Sequence, residues 1–352
     1  MELYIMNKSL QTIGVIDSFE SIIWTKRYLE AGEFELYIPI SDTNLSLLQT
    51  GNYIYRLDDD AVMIIEDIKL ETDVEKGNYI TATGRSLESI LDRRIVWNTT
   101  TFSGAAEDFI YKLINENAIT PAITARKISN LTLDTKKGYT ETISKQLTGD
   151  NLYTAITDIC TAYNYGLKIT LNSKKNFVFS LYKGVDRSYN QNKNPCVVFS
   201  PEFDNILKSS FERSEEEYKN IALIAGEGEG DARKKTTVGS ASDLNRRELY
   251  VDARDVQSTE NDVTMSDSDY IKLLQARGQE KLNELTIKEA FSGECETSNS
   301  YVYRQDWNLG DIVQIKNEFG VSASPRIIEV IESEETDKNT IIPTFATWGG
   351  ND

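Results

Sequence analysis

Apolar and polar residues alternate through much of the first hundred positions. Ile22, Trp24 and Tyr28 share one side of a period of two that Lys26 interrupts, and Phe34, Leu36, Ile38 and Ile40 resume it after Glu30-Ala31-Gly32. A period of two marks a strand with one buried face, so the two runs predict a β-hairpin. Tyr53 to Leu57 and Met63 to Ile65, joined by Asp58-Asp59-Asp60, predict a second hairpin, and Tyr79 to Thr83 a further strand. Residues 1–100 therefore read as a small β-barrel or sandwich.

The period then changes. Ala106, Phe109, Ile110, Leu113 and Ile114 have helical spacing, with Ser103 as the expected N-cap. Leu152, Ile156, Ile159 and Tyr163 repeat that spacing, with Asp150 as the expected cap and Gly166 as the expected stop. The polar stretch from Arg126 to Gln146 reads as a long loop or a protruding arm. Leu167–Leu171 and Phe177–Tyr182 form another hairpin. Residues 101–205 are thus a small α+β domain. Strands follow at Ser210–Arg213, Asn220–Ala225 and Arg247–Val251. A helix starts at Ser266 or Ser268 and carries Tyr270, Leu273, Leu274, Leu282 and Leu285 on its apolar side. Residues 206–352 read as a second β-barrel with a helical insertion near 266–286, and exchange of segments between the two barrels is left open. The fold class is mainly β with an α+β part.

One stretch echoes another. Gly51 to Leu57 followed by Ile64-Ile65-Glu66-Asp67-Ile68-Lys69 resembles Gly310 to Lys316 followed by Ile327-Ile328-Glu329-Val330-Ile331-Glu332. Two copies of one β unit would explain this, as would chance similarity of two hairpins. Under duplication, Ile64 and Ile68 should share a face, as should Ile327 and Ile331.

Several motifs lie in one order along the chain. They are Trp24, Arg27 and Tyr28 before Gly32-Glu33-Phe34-Glu35-Leu36, then Gly84-Arg85-Ser86-Leu87, then the stretch from Asp186 to Asp255. Leu309-Gly310-Asp311-Ile312-Val313, Arg326 to Val330 and Pro343-Thr344-Phe345 close the series. Together they resemble the tail-hub or baseplate-hub proteins of long-tailed bacteriophages, including the N-terminal structural part of tail-associated lysins. That resemblance implies a homotrimer at the virion tail tip, assembled in the host cytoplasm. It also implies a distal tail or tail-tube protein, a tape-measure protein and a tip spike or fibre as neighbours, with DNA passing without specific binding. It further implies that six barrels from three chains match a six-fold tube to a three-fold tip. The chain ends shortly after the last motif, so it reads as a hub core, without the wall-cutting or receptor-binding extension of many relatives. A contractile-tail or tailocin hub fits the same motifs.

Composition narrows the chemistry. The 352 residues allow two or three domains. No apolar run approaches the length of a membrane span, and the N-terminus lacks a secretion signal. Histidine is absent, which removes imidazole-based hydrolases and most catalytic zinc sites. Cys160, Cys196 and Cys295 have no metal-type spacing and read as buried or half-buried free thiols. No cofactor or metal is expected. The formal net charge of −18 opposes phosphate binding. It fits either general solubility or a tube wall that repels passing DNA.

Candidate sites are few. Gly226-Glu227-Gly228-Glu229-Gly230 lacks phosphate-loop spacing and reads as a mobile loop. Asp58-Asp59-Asp60 lacks the calcium-loop pattern and reads as a solvated hairpin tip. Asp262, Asp267 and Asp269 suit a helix N-terminus. Glu212, Glu215, Glu216 and Glu217 leave a carboxylate-dependent cell-wall hydrolase as the alternative function, but the chain reads as non-enzymatic. Arg246, Arg247, Tyr250, Asp252, Arg254 and Asp255 flank one aromatic strand. They form a candidate subunit interface, with ion pairing inside the chain as the alternative.

Overall fold

The computed structural model describes residues 1–347 except 76, 261–262, 296–300, 318, 320–321 and 336–337. Its centre is one eight-stranded antiparallel sheet. The strands are β1 Ser21–Arg27, β2 Glu33–Pro39, β3 Asp67–Asp73, β4 Gly77–Arg85, β5 Ile206–Ser214, β6 Lys288–Cys295, β7 Arg326–Glu335 and β8 Lys338–Thr347. Their order across the sheet is β5-β6-β8-β7-β1-β2-β4-β3. The first four strands and the last four thus follow the same first-second-fourth-third order, and the two halves join where β7 pairs with β1.

Each half is one layer of a sandwich. Ile22, Trp24, Phe34, Leu36, Ile38, Ile80 and Ala82 point from the first half toward Leu3, Ile5, Ile54 and Met63. Those belong to a small sheet of strands Leu3–Met6, Thr12–Ile16, Tyr53–Tyr55 and Val62–Ile64. Ile206, Ile327, Val330 and Phe345 of the second half pack with Phe199 and Ile315. These come from the sheet of Val198–Phe199, Gln314–Lys316 and Ser322–Ala323. The period-two hydrophobic pattern is what sorts these residues to one face.

The echo has a backbone counterpart. Gly51 N–H donates to Ile65 O at 2.7 Å, and Ile65 N–H donates to Asn52 O at 2.9 Å. Gly310 N–H donates to Ile327 O, and Ile327 N–H donates to Asp311 O, both at 2.9 Å. Both glycines have positive φ, +84° and +93°. Ile65, not Ile64, is therefore the equivalent of Ile327. The expected shared faces are corrected too. Ile64 packs into the α+β core while Ile68 packs against the first sandwich core. A bulge between Ile327 and Glu329 shifts the alternation, so Ile327 and Val330 are buried and Ile331 is only half-buried.

Two folded pieces interrupt the repeat. Between the halves lie helices α1 Ala106–Ile114 and α2 Leu152–Tyr163, with the hairpin Gly166–Leu171 and Phe177–Tyr182. Ala105, not Ser103, precedes α1 as its cap, because Ser103 is paired in the strand Thr100–Ala105. Asn151, not Asp150, caps α2 by accepting from Thr154 N–H. Asn164, left-handed at φ 56°, ends α2, while Gly166 already opens the next strand. The polar stretch from Arg126 is folded back: Leu131–Leu133 joins the hairpin sheet, and Thr142–Leu147 pairs with Thr100–Ala105. Between β5 and β6 sits a three-stranded sheet of Ile221–Ala225, Lys235–Val238 and Glu248–Asp252. It is covered by α3, Asp267–Glu284, whose N-cap is Ser266. The molecule is mainly β with an α+β part.

Candidate functional site

Among the described residues, an extended charged constellation includes a triplet that the sequence placed in solvent. Asp58-Asp59-Asp60 lies in the turn between the paired strands Tyr53–Tyr55 and Val62–Ile64, with Asp58 and Asp60 exposed as expected, but the Asp59 side chain is 0% exposed. Lys26 Nζ donates to Asp59 at 2.8 Å and to Asp60 at 3.0 Å. Arg304 Nη2 reaches Asp59 at 2.7 Å, and Lys168 Nζ reaches Asp60 at 2.6 Å. Arg56 joins Asp58 at 2.6 Å to Glu332 at 3.2 Å. Lys26 and Glu332 come from β1 and β7, Lys168 from the α+β hairpin, and Arg304 from the chain before β7. The network therefore fastens the sheet junction to the domain beside it. Such a cluster is hidden in sequence because Asp59 and Arg304 stand 245 positions apart. The available signal was Lys26, a charge on the buried side of a hydrophobic alternation.

The cluster lines a cavity of about 480 Å³. Burial would lower the Lys26 pKa, but Tyr303, Asp59 and Asp60 beside it push it well above the ordinary lysine value. Burial likewise opposes ionisation of Asp60, and Lys26 and Lys168 overcome it to hold that carboxyl below its usual range. Glu88, buried in the cavity wall, is different. Burial raises its pKa against the pull of the Ser86 hydroxyl and the Ile169 N–H, which donates at 2.7 Å. The Asp58, Asp59, Asp60 and Glu332 carboxylates all meet arginine or lysine here, an arrangement that holds segments together.

The six flanking residues lie on the insertion between β5 and β6, along the edge strand Glu248–Asp252 or just beyond its ends. Arg246 pairs with Glu248, and Arg247 reaches Glu215 at 3.1 Å. Tyr250, 56% exposed, accepts from Arg233 at 2.7 Å. Asp252 pairs with Arg254 at 2.6 Å and with Arg233, and the Arg254 hydrogen bond leads in holding its pKa at about 2. Asp255 pairs with Arg277 of α3 at 3.0 Å. The structure thus brings Tyr250, Asp252 and Arg254 together around Arg233, with Arg246 and Arg247 at one end and Asp255 at the other.

The other candidates are tied into the fold. Glu215 meets Arg213 and Arg247 at 3.2 and 3.1 Å, and Glu217 meets Lys288. Rather than a mobile loop, the Gly226 turn is pinned. Glu227 accepts from the Ser258 hydroxyl at 2.6 Å, and Arg233 donates to Gly226 O at 2.7 Å. Asp267 and Asp269 lie in the first turn of α3, and Asp262 falls outside the described residues. Cys160 is buried, but Cys196 is exposed, against expectation. Among the described residues, Asp158, Glu280 and Glu284 place ligand atoms within 4.8 Å of one another, with Lys145 already on Glu280. No helix among the described residues is long and apolar enough to cross a membrane.

Comparison with solved structures finds the same fold in tail proteins. The tail protein from Neisseria meningitidis MC58 superposes with a TM-score of 0.59 at 14% identity, covering 99% of this chain and 96% of that one. The prophage tail protein gp18 from Listeria monocytogenes EGD-e gives 0.57 at 12% identity, covering 99% and 96%. The prophage MuSo2 43 kDa tail protein from Shewanella oneidensis gives 0.57 at 12%, covering 98% of both chains. The Francisella PdpA-VgrG complex contains a chain that scores 0.52 at 11% identity, with 58% of that chain covered. No curated protein sequence matches. Residues 2–346 match the Siphovirus ReqiPepy6 Gp37-like protein family, and the chain belongs to that phage tail protein family.

Proposed function

We propose that the chain is a tail-hub subunit that works as a homotrimer at the tail tip. It closes the tail tube, matches a six-fold tube to a three-fold tip, and opens for DNA ejection. The observation that carries this reading is the repeated strand order within one sheet. One chain holds two equivalent β units, so three chains in a closed ring present six. In this reading residues 1–100 and 206–352 carry the two tube-forming units, and 101–205 form the domain between them. The distal tail or tail-tube protein, the tape-measure protein and a spike or fibre are its neighbours. The charged edge from Arg246 to Asp255 faces one of these or an adjacent subunit. The net charge of −18 supports passage of DNA without adhesion. Sedimentation of the purified chain over a range of concentrations tests the reading. A trimer, or a monomer–trimer equilibrium, is expected. A stable two-fold dimer overturns it.

A further inference from the structure

Arginines elsewhere in the chain, Arg27, Arg56 and Arg304 among them, meet carboxylates. Three that stand together do not. Among the described residues, Arg93, Arg94 and Arg126 have no carboxylate partner, although the chain carries 56 acidic residues against 38 basic ones. Arg94 Nε donates to Arg126 O at 2.5 Å, and its Nη1 donates to Arg93 O at 2.7 Å. Arg126 Nη2 donates to Ile95 O at 2.6 Å. A guanidinium has five N–H groups, so most of their donors remain open. The three arginines line an open cleft of about 420 Å³ together with Ile95, Trp97 and Ile123. Those apolar side chains are 39%, 52% and 44% exposed, and the Arg126 guanidinium lies 4.7 Å from the centre of the Trp97 ring.

The cleft is built before anything enters it. Val96, fully buried, anchors the segment from below, and its N–H donates to Asp150 O at 2.8 Å. Leu152 N–H, at the start of α2, donates to Arg94 O at 2.9 Å. Trp97 N–H donates to Asn117 Oδ1 at 3.0 Å, and Asn117 Nδ2 donates to Leu113 O of α1 at 3.0 Å. A ligand therefore meets a backbone already in place. It also finds charge left uncompensated. Burial, and then the charge of Arg94, push the Arg126 pKa down. The acids that line this cleft and the small one behind it, Asp92 and Glu116, are taken. Asp92 meets Arg85 at 3.3 Å and accepts from Asn151 Nδ2 at 2.9 Å, and Glu116 pairs with Lys112.

We propose that this cleft binds an extended acidic segment of a partner protein, with a carboxylate taken by the Arg93, Arg94 and Arg126 group and a neighbouring apolar side chain lying against Trp97 and Ile123. Tryptophan and arginine are the residue types that dominate protein interface hot spots. Nucleic acid fits less well, because the net charge of −18 repels a long run of phosphates while three arginines suffice for one or two carboxylates. The site is complete within one chain, so it needs no ring and stands apart from the hub reading.

A short fluorescent peptide of alternating glutamate and leucine, titrated into the full chain, is the probe. Anisotropy should show a Kd of about 10 μM at low salt, weakening as salt rises. Arg93→Glu and Trp97→Ala alter exposed side chains, and each should weaken binding at least about fivefold while circular dichroism shows the fold retained. Replacing every glutamate of the peptide by glutamine should have at least the same effect. Lys235→Glu, on the insertion between β5 and β6, makes the same change in net charge as Arg93→Glu and should leave binding unaltered. Absence of binding overturns the proposal, as does equal binding of the glutamine peptide. A loss in Lys235→Glu as large as in Arg93→Glu would mean that overall charge, not the cleft, holds the peptide, and overturns it too. Tighter binding of a single-stranded oligothymidine, lost in Trp97→Ala, would assign the cleft to nucleic acid and overturn the protein partner.

Discussion

Gly310 shows how one residue can fix a junction. Its φ is +93°, and a Cβ there would stand 2.6 Å from Cε2 of Tyr28, a fully buried ring. Gly51 has the same role in the first half, but its Cβ would meet Cε of Lys8 at 2.5 Å, the far end of a flexible side chain. Gly310→Ala should cost about 2 kcal/mol and Gly51→Ala about 1 kcal/mol, read by urea denaturation. Asp59 offers a second comparison. Asp59→Ala removes a fully buried carboxylate from Lys26 and Arg304, and a loss of about 3 kcal/mol is expected. A change below about 1 kcal/mol would show that Asp60 and Glu332 suffice for both cations. Glu88 should respond to pH. Its pKa is raised in the folded chain, so folding takes up a proton. Its stabilising contribution is fullest below the unfolded value of about 4.3 and is lost as pH rises through the folded value. Relative to Glu88→Gln, the natural chain should therefore be more stable at about pH 5 than at about pH 8. The opposite trend would mean that Ser86 and the Ile169 N–H outweigh burial.

Strands and helices were readable from the sequence where one face meets a core. The β1–β2 hairpin and the three helices α1, α2 and α3 announced themselves through Trp24, Phe34, Phe109, Ile156 and Leu274, each buried. Element ends were harder, because caps are chosen by backbone geometry. Asn151 caps α2 with its side chain, whereas the neighbouring Asp150 turns back to accept from Thr148 N–H at 2.8 Å. Asn151→Ala should cost about 1 kcal/mol, while Asp150→Ala should cost less, and thermal melts of the two variants would check that order. The strand Thr142–Leu147 was missed because it buries polar residues, Lys145 and Gln146, so no apolar alternation marks it. The echo was visible as a repeat but off by one position. The bulge after Ile327 adds a residue that no periodicity can announce, and the hydrogen bonds of Gly51 and Gly310 were needed to set the true equivalence.

Across the whole chain, the halves of the repeat were within reach of sequence reasoning, but their union in one sheet was not, since β7 and β1 are far apart in the chain. The same long-range folding hid the Asp59 cluster and bears on catalysis. Carboxylates that looked available in sequence, Glu215 and Glu217 among them, are held by Arg213, Arg247 and Lys288. Glycoside cleavage needs two carboxyl groups flanking a bond across a cleft, one of them able to donate a proton. Glu88 has the raised pKa such an acid needs, and it lines the 480 Å³ cavity. Yet its oxygens accept from Ile169 N–H and Ser86, and the nearby Asp59 and Asp60 are engaged by Lys26, Arg304 and Lys168. The purified protein should therefore release no muropeptides from peptidoglycan, with or without added divalent metal. The measurement is reducing-end release over hours at a pH near 5 and again near 8. Turnover that survives in Glu88→Gln but disappears in Glu215→Gln would move the chemistry to the β5–insertion boundary and favour the hydrolase. Turnover lost in Glu88→Gln would place it in the cavity between the sheet junction and the α+β domain, where a rigid fastening is now expected.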